Sequence, residues 1–418
     1  MIQSTWLKRQ RHMAAWFPML VALLCAGGPL AAAEAAPGIR HDVEAGAMPA
    51  PNTTRPTDID ASFVPRPKGI LPSVPKGFVI APFASDGLKH VRALTTAPDG
   101  DVFLAEQGPG LITLLRDSDG DGKADLITTF AKGFSQPYGI AMHDGALYVA
   151  DLRAVWRLPY RTGALRPTGP AQRITAAPDL RPDGWHTTRD IVFDRKGQLF
   201  LAIGSRGDVL EAPPPDATVQ LVQPDGTMRT FASGLRNPAG MAIQPGTGDL
   251  WVTVNERDKL GGALPPDFLT RVERGDFYGW PYAYAGPHPD PVFGARRPDL
   301  VAKTRTPDVL FEAHSAPLGV VFYEGAQFPA PYRGDAFVAL HGSGPYGAPD
   351  GYKVVRVHFA GGRPVGGYED FVTGFSNNKA GDLRVWGTPC GLAIAKDGSL
   401  LIGDDKGRTI WRVSYIGH

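Results

Sequence analysis

One pattern of apolar and polar positions returns along this chain. A short apolar run is followed by a turn holding Gly and often Asp. A second run, rich in Leu, Val and aromatics, then ends in a polar loop. The clearest copy lies between Phe231 and Trp280. There Gly240-Met241-Ala242-Ile243 predicts one strand and Leu250-Trp251-Val252-Thr253-Val254 the next, with Gly-Thr-Gly-Asp between them. The other copies are Leu94 to Ala105, Gly139 to Ala150, Ile191 to Ala202, Gly319 to Leu340 with a longer turn, and Gly391 to Ile402. Six copies at spacings of roughly 45 to 80 residues fit the blades of an all-β, six-bladed β-propeller. Third or fourth strands are visible at Leu111–Leu115, Ala154–Leu158, Tyr352–Val357 and Thr409–Val413. No long segment carries a helical period, which disfavours alternating strands and helices. The last strand ends near the C-terminus and the first begins near Phe78, so pairing of these two is expected to close the ring. Longer inserts around 161–186, 207–220, 258–315 and 341–351 can wall a pocket at one mouth.

Composition adds three limits. With 43 Lys and Arg against 42 Asp and Glu, the formal charge of +1 leaves no basic excess for a nucleic-acid partner. The N-terminus has a basic start at Lys8, Arg9 and Arg11, an apolar stretch from Ala14 to Leu30, and small residues at Ala31 to Ala33. Residues 1–33 therefore read as a secretory signal, with no stable membrane insertion after its removal and a periplasmic or secreted destination. Its loss would leave Cys390 as the one cysteine, so no internal disulfide is expected. Residues 34–76 are rich in Pro, Ala, Thr and Asp without apolar period and read as a linker or wrapped arm; the ring is expected over 77–418.

Four groups of residues could carry chemistry. Asp117, Asp119, Asp121 and Asp125 alternate with small residues and bracket Gly122, a spacing that lets a loop wrap Ca²⁺ or simply makes an acidic turn. His186, just before the third copy, is placed at the axial face as a general base or as a turn cap. Arg236-Asn237 occupies the equivalent loop of the fourth copy; its guanidinium suits an anion or a developing oxyanion, or else loop carbonyls. Glu256, Arg257 and Asp258 close the same hairpin as a cation site or a solvated cluster. Phosphate-binding glycine loops and a Gly-x-Ser-x-Gly elbow are missing from the sequence, and His288, His314, His341 and His358 are scattered.

Taken in order, several of these stretches resemble the quinoprotein sugar dehydrogenases, the soluble glucose or aldose dehydrogenases and sorbosone dehydrogenase-like proteins. The carriers are His186-x-x-Arg189, Arg236-Asn237-Pro238-x-Gly240, Asn255-Glu256-Arg257-Asp258, Phe277-Tyr278-Gly279-Trp280-Pro281, Ala339-Leu340-His341-Gly342-Ser343 and Asp404-Asp405-Lys406-Gly407. The resemblance implies pyrroloquinoline quinone (PQQ) and Ca²⁺ on the axial face, a sugar substrate and an external electron acceptor. It implies His186 as the base, Arg236 as the stabiliser of charge on the quinone, and Gln136, Asn237 and His341 as cofactor contacts. Oxygens from Glu256 to Asp258 would hold the metal. The sequence departs from the pattern at Thr388, where an Arg is usual, at Gly344-Pro345-Tyr346, and at Ser205, where an acid is usual. Asp208 or Asp190 is the expected substitute for that acid, and Arg206 for the missing cation. The competing reading is a non-enzymatic propeller that has lost the quinone and binds carbohydrate or protein.

Overall fold

The computed structural model describes residues 36–54, 61–178, 180, 185–342, 351–377, 379 and 382–417. The expected signal and the Gly344-Pro345-Tyr346 departure lie outside them.

Six antiparallel sheets are arranged as the blades of a β-propeller. The innermost strands are Val91–Thr96, Ile140–His143, Ile191–Phe193, Asn237–Ile243, Pro317–Phe322 and Pro389–Ile394. Each opens a run of consecutive strands moving outward, because short turns such as Asp99-Gly100 permit only hairpin connections. The sixth blade breaks that order. Its fourth strand is Phe78–Ala84, paired antiparallel with the final strand Thr409–Tyr415, Phe78 opposite Tyr415. The two ends of the ring therefore close on one another within the sixth blade, as expected.

The apolar side chains form six clusters, each shared by two neighbouring blades. Leu94, Leu104, Leu401 and Ile410 join the last blade to the first. Phe337, Phe371, Leu392 and Trp411 join the fifth to the sixth. Alternate positions of every strand thus face the blade on either side, and this is why so many strands read as apolar throughout. A repeated glycine sets the width of the axis. A Cβ on Gly139, Gly240, Gly319 or Gly391 would strike the main chain of the next inner strand, at Arg189, Leu318, Cys390 and Arg92 respectively. The inner strands enclose a cavity of about 250 Å³ lined by Arg92, Tyr138, Asp190 and Met241 among others.

Residues 36–54 and 61–75 run along the outside of the ring. Arg40–His41 adds a fifth strand to the fifth blade through Tyr368 and Glu369. Ser62–Phe63 pairs in parallel with Arg384–Val385.

Candidate active site at one mouth of the ring

Antiparallel alternation brings the loops before each inner strand, and those after each second strand, to the same mouth. Hydrogen bonds tie these loops into a polar rim. Arg92 Nε donates to Gln107 Oε1 at 3.1 Å, and Gln107 Nε2 donates to Thr187 Oγ1 at 3.1 Å. Thr188 Oγ1 donates to Asn237 Oδ1, Asn237 Nδ2 to Asn255 Oδ1, and Asn255 Nδ2 to the Pro317 carbonyl. Asp405 completes the circuit, with Arg92, His90 and His341 at 3.7, 3.8 and 3.9 Å. Asn237 is therefore fixed at both ends of its amide.

His186 is held by the end of the neighbouring strand. Its Nδ1 lies 2.8 Å from the Ser205 carbonyl and 3.0 Å from Ser205 Oγ. A carbonyl only accepts, so Nδ1 carries the hydrogen and Nε2 is left as the basic nitrogen. Burial, followed by the Arg236 charge, pushes the imidazole pKa down to about 3. Gly204 makes this approach possible: a Cβ there would sit 2.5 Å from Asn237 Oδ1 and 2.7 Å from His186 Cβ. The expected acid beside the base is not found in either place. Asp208 pairs with Arg236 instead, and Asp190 accepts the Met241 N–H at 2.7 Å. Burial without a cation raises Asp190 to about 7.

Arg236 reaches the mouth, but its fork is mostly taken. Nε donates to the Asp208 carbonyl, Nη1 to the carbonyls of Asn255 and Glu256, and Nη2 to Asp208 Oδ1 at 3.0 Å. An anion would find one remaining N–H and the field of a buried charge. Arg236 is thus as much a brace between hairpin ends as an anion hook. Asp208 also accepts the Asp258 N–H and lies 3.5 Å from Lys259 Nζ, so it organises the whole corner. Arg206 is not the substitute cation; it pairs with Asp216 at 2.5 Å. Thr388 is buried, and its hydroxyl accepts the Lys406 N–H.

At the end of the fourth blade's hairpin, Glu256 is buried with Oε1 unpartnered. Burial raises its carboxyl to about 8 despite Arg236, and raises nearby Asp267 to about 6. Two carboxyls held toward neutrality by desolvation are what a bound cation would reverse. The Arg257 side chain is committed to Asp290, so only its main-chain oxygen is available to a metal. Asp258 faces His314 Nδ1 at 3.3 Å. Burial opposes the charge on both partners, yet their contact holds Asp258 low and His314 high. His314, scattered in sequence, is thus part of this corner.

Gln136 is exposed at the second blade's entry, in the left-handed region at φ 52°. His341 follows the fifth blade's second strand, and its Nδ1 meets the Gly342 carbonyl at 3.0 Å. The acidic loop lies elsewhere. Loops between third and fourth strands fall at the opposite mouth, so Asp117–Asp125 and Glu256–Asp258 cannot share an ion. Asp117, Asp119 and Asp125 come together there, whereas Asp121 turns away to within 4.0 Å of Lys123. Asp117 is occupied by the N–H groups of Gly120 and Gly122. A cleft of about 780 Å³ borders that loop, but its Arg116 and Arg412 are already paired with Asp101 and Asp397.

The fold and site define a six-bladed propeller with a polar, partly charged axial mouth. The family model for Glucose / Sorbosone dehydrogenase matches residues 168–362, a span holding His186, Arg236, Asn237, Glu256 and His341. This bears out the resemblance drawn from the motifs. A protein of Borreliella burgdorferi described as uncharacterized is 27% identical over 355 residues, covering 82% of this chain and 90% of that one. The aldose sugar dehydrogenase YliI of Escherichia coli is 30% identical over 167 residues, 35% of this chain and 43% of its own. The holo form of the pyranose dehydrogenase PQQ domain from Coprinopsis cinerea superposes with a TM-score of 0.68 at 20% identity, over 84% of this chain and 100% of that one.

Proposed function

We propose that this protein oxidises an aldose or related sugar aldehyde with PQQ and Ca²⁺ bound at the mouth that holds His186, and passes the electrons to an external acceptor. The observation that carries the reading is the placement of His186: its Nδ1–H is engaged by Ser205 and its Nε2 is left as the accepting nitrogen, beside Arg236 and Asn237. The residues present fit the metal of that pair. Glu256 Oε1 is a buried oxygen without a partner, and Asp258 and nearby carbonyls add the hard donors that Ca²⁺ prefers.

PQQ, when bound, supplies the two-electron acceptor for the hydride leaving the sugar carbon. His186 takes the hydroxyl proton at Nε2. Ser205 holds the ring so that this nitrogen cannot exchange roles with Nδ1. Burial, helped by the Arg236 charge, keeps the imidazole neutral in the resting site, and Arg236 favours negative charge developing nearby. Asn237, fixed by Thr188 and Asn255, offers a rigid polar edge to whatever binds above it. The N-terminal basic and apolar pattern supports a periplasmic setting for this chemistry.

A second reading, a propeller that binds carbohydrate without oxidising it, is favoured by Thr388 and by the committed fork of Arg236. One experiment separates them. Purified protein is titrated with PQQ and Ca²⁺, then aldoses and a dye acceptor are added. Quinone uptake at micromolar concentration and dye reduction, both lost on chelation, are expected. His186→Ala should retain quinone uptake and lose turnover by roughly 10²–10⁴-fold, the usual contribution of a general base. No uptake of quinone would leave the non-enzymatic reading standing.

A further inference from the structure

Trp185 precedes the proposed base and is 58% exposed, more than any other described aromatic side chain; Phe63 follows at 52%. Large aromatic faces are normally covered, so one left open at a polar mouth points to something that covers it. Its backbone is not loose: the Trp185 N–H donates to the Arg206 carbonyl at 3.1 Å. The indole also lies parallel to the His186 imidazole, with centroids 5.8 Å apart and planes 11° apart. Thus the loop that fixes the basic nitrogen also presents a flat apolar surface beside it.

A pyranose has a matching shape. One face of the ring carries axial C–H groups and no hydroxyl, while the hydroxyls spread around its edge. Such a face packs on an indole, and the edge remains free for polar groups. We propose that Trp185 is the platform on which a pyranose ring lies, bringing its edge to His186 and favouring cyclic sugars over open-chain aldehydes. This rests on the sugar-dehydrogenase reading above and narrows its substrate class.

An acyclic aldehyde has no such face and gains little from the indole. Trp185→Ala in the holoenzyme should raise KM for D-glucose roughly five- to tenfold, the worth of one aromatic packing contact, with kcat changed far less. KM for glyceraldehyde should stay within about twofold of the wild type on the same reasoning. Trp185→Phe should recover most of the glucose affinity. The rate should still hold down to about pH 5, as in the wild type, because His186 is held by Ser205 and not by the indole. A fall in kcat with unchanged KM, or equal KM shifts for both substrates, would overturn the platform and leave Trp185 a support for the loop.

Binding without turnover gives an independent answer. D-glucose should change tryptophan fluorescence in the His186→Ala variant loaded with PQQ and Ca²⁺, but not in the same variant carrying Trp185→Phe. An identical change in both, or none in either, rejects the platform. A change in His186→Ala together with a wild type that oxidises no sugar rejects the dehydrogenase reading alone.

Discussion

A single hydrogen decides what His186 can do. With Nδ1 bound to the Ser205 carbonyl, and with burial and Arg236 opposing a second proton, the imidazole stays neutral at every ordinary pH. The rate with saturating acceptor should therefore show no acid limb near 6.5, the unperturbed value, and should hold down to about pH 5. A limb centred near 6.5 that vanishes in His186→Ala would show the ring to be far less shielded than described. Gly204→Ala tests the same contact from the other side. The added methyl must displace His186 or Asn237, at a cost of about 1–3 kcal/mol in stability and with loss of turnover. Thermal melting and rate assays together read both effects. His186, Arg236 and Asn237 were legible because each sits at a fixed offset from a strand that the apolar pattern marks. Asp208 was legible only as an acid; its commitment to Arg236 depends on how an insert folds back across 28 residues. His314 carried no sequence signal at all, since its partner Asp258 lies on another hairpin.

At the scale of one element, the N-terminal arm shows how a stretch without period can still be fixed. Its strands, Arg40–His41 and Ser62–Phe63, are two residues each and too short to reveal alternation. What holds it is chemistry. His41 contacts Glu312 and Asp370, both at 2.9 Å, and stacks on Tyr368 at 4.8 Å. Burial lowers its pKa, but the two carboxylates overcome this and raise it to about 9. A folded pKa above the unfolded one means the stabilisation is complete below about 6.5 and is lost as pH rises through about 9. The size is on the order of 2–3 kcal/mol at neutral pH or below, given about 1.4 kcal/mol per unit and some residual solvent screening. Limited proteolysis should find residues 36–54 protected at pH 6 and cleaved readily near pH 10. His41→Ala should be cleaved at both, and equal protection in the variant would refute the clamp.

For the whole ring, the blade count and the closing pair follow from the apolar runs, because hairpins are local and the two ends must meet to close a ring. The width of the axis was not legible. The glycines at 139, 240, 319 and 391 recur in the sequence, but only the packed inner strands explain them. Stability is spread over six interfaces, and the one between the fifth and sixth blades includes the closing strand. Trp411 is fully buried there and donates to Asp404 Oδ2 at 3.1 Å. Trp411→Ala should cost about 3–5 kcal/mol by urea denaturation. A loss under about 1 kcal/mol would mean that the surrounding layer collapses to fill the gap.

The pairing of Phe78–Ala84 with Thr409–Tyr415 also governs the order in which the protein can be made. The first strand leaves the ribosome more than three hundred residues ahead of its partner and waits, unpaired, until Thr409–Tyr415 has been made. A chain that stops short of residue 409 would hold five finished blades and a sixth that never seals. Nonsense mutations shortly before codon 409 should therefore be as damaging as those in the middle of the ring.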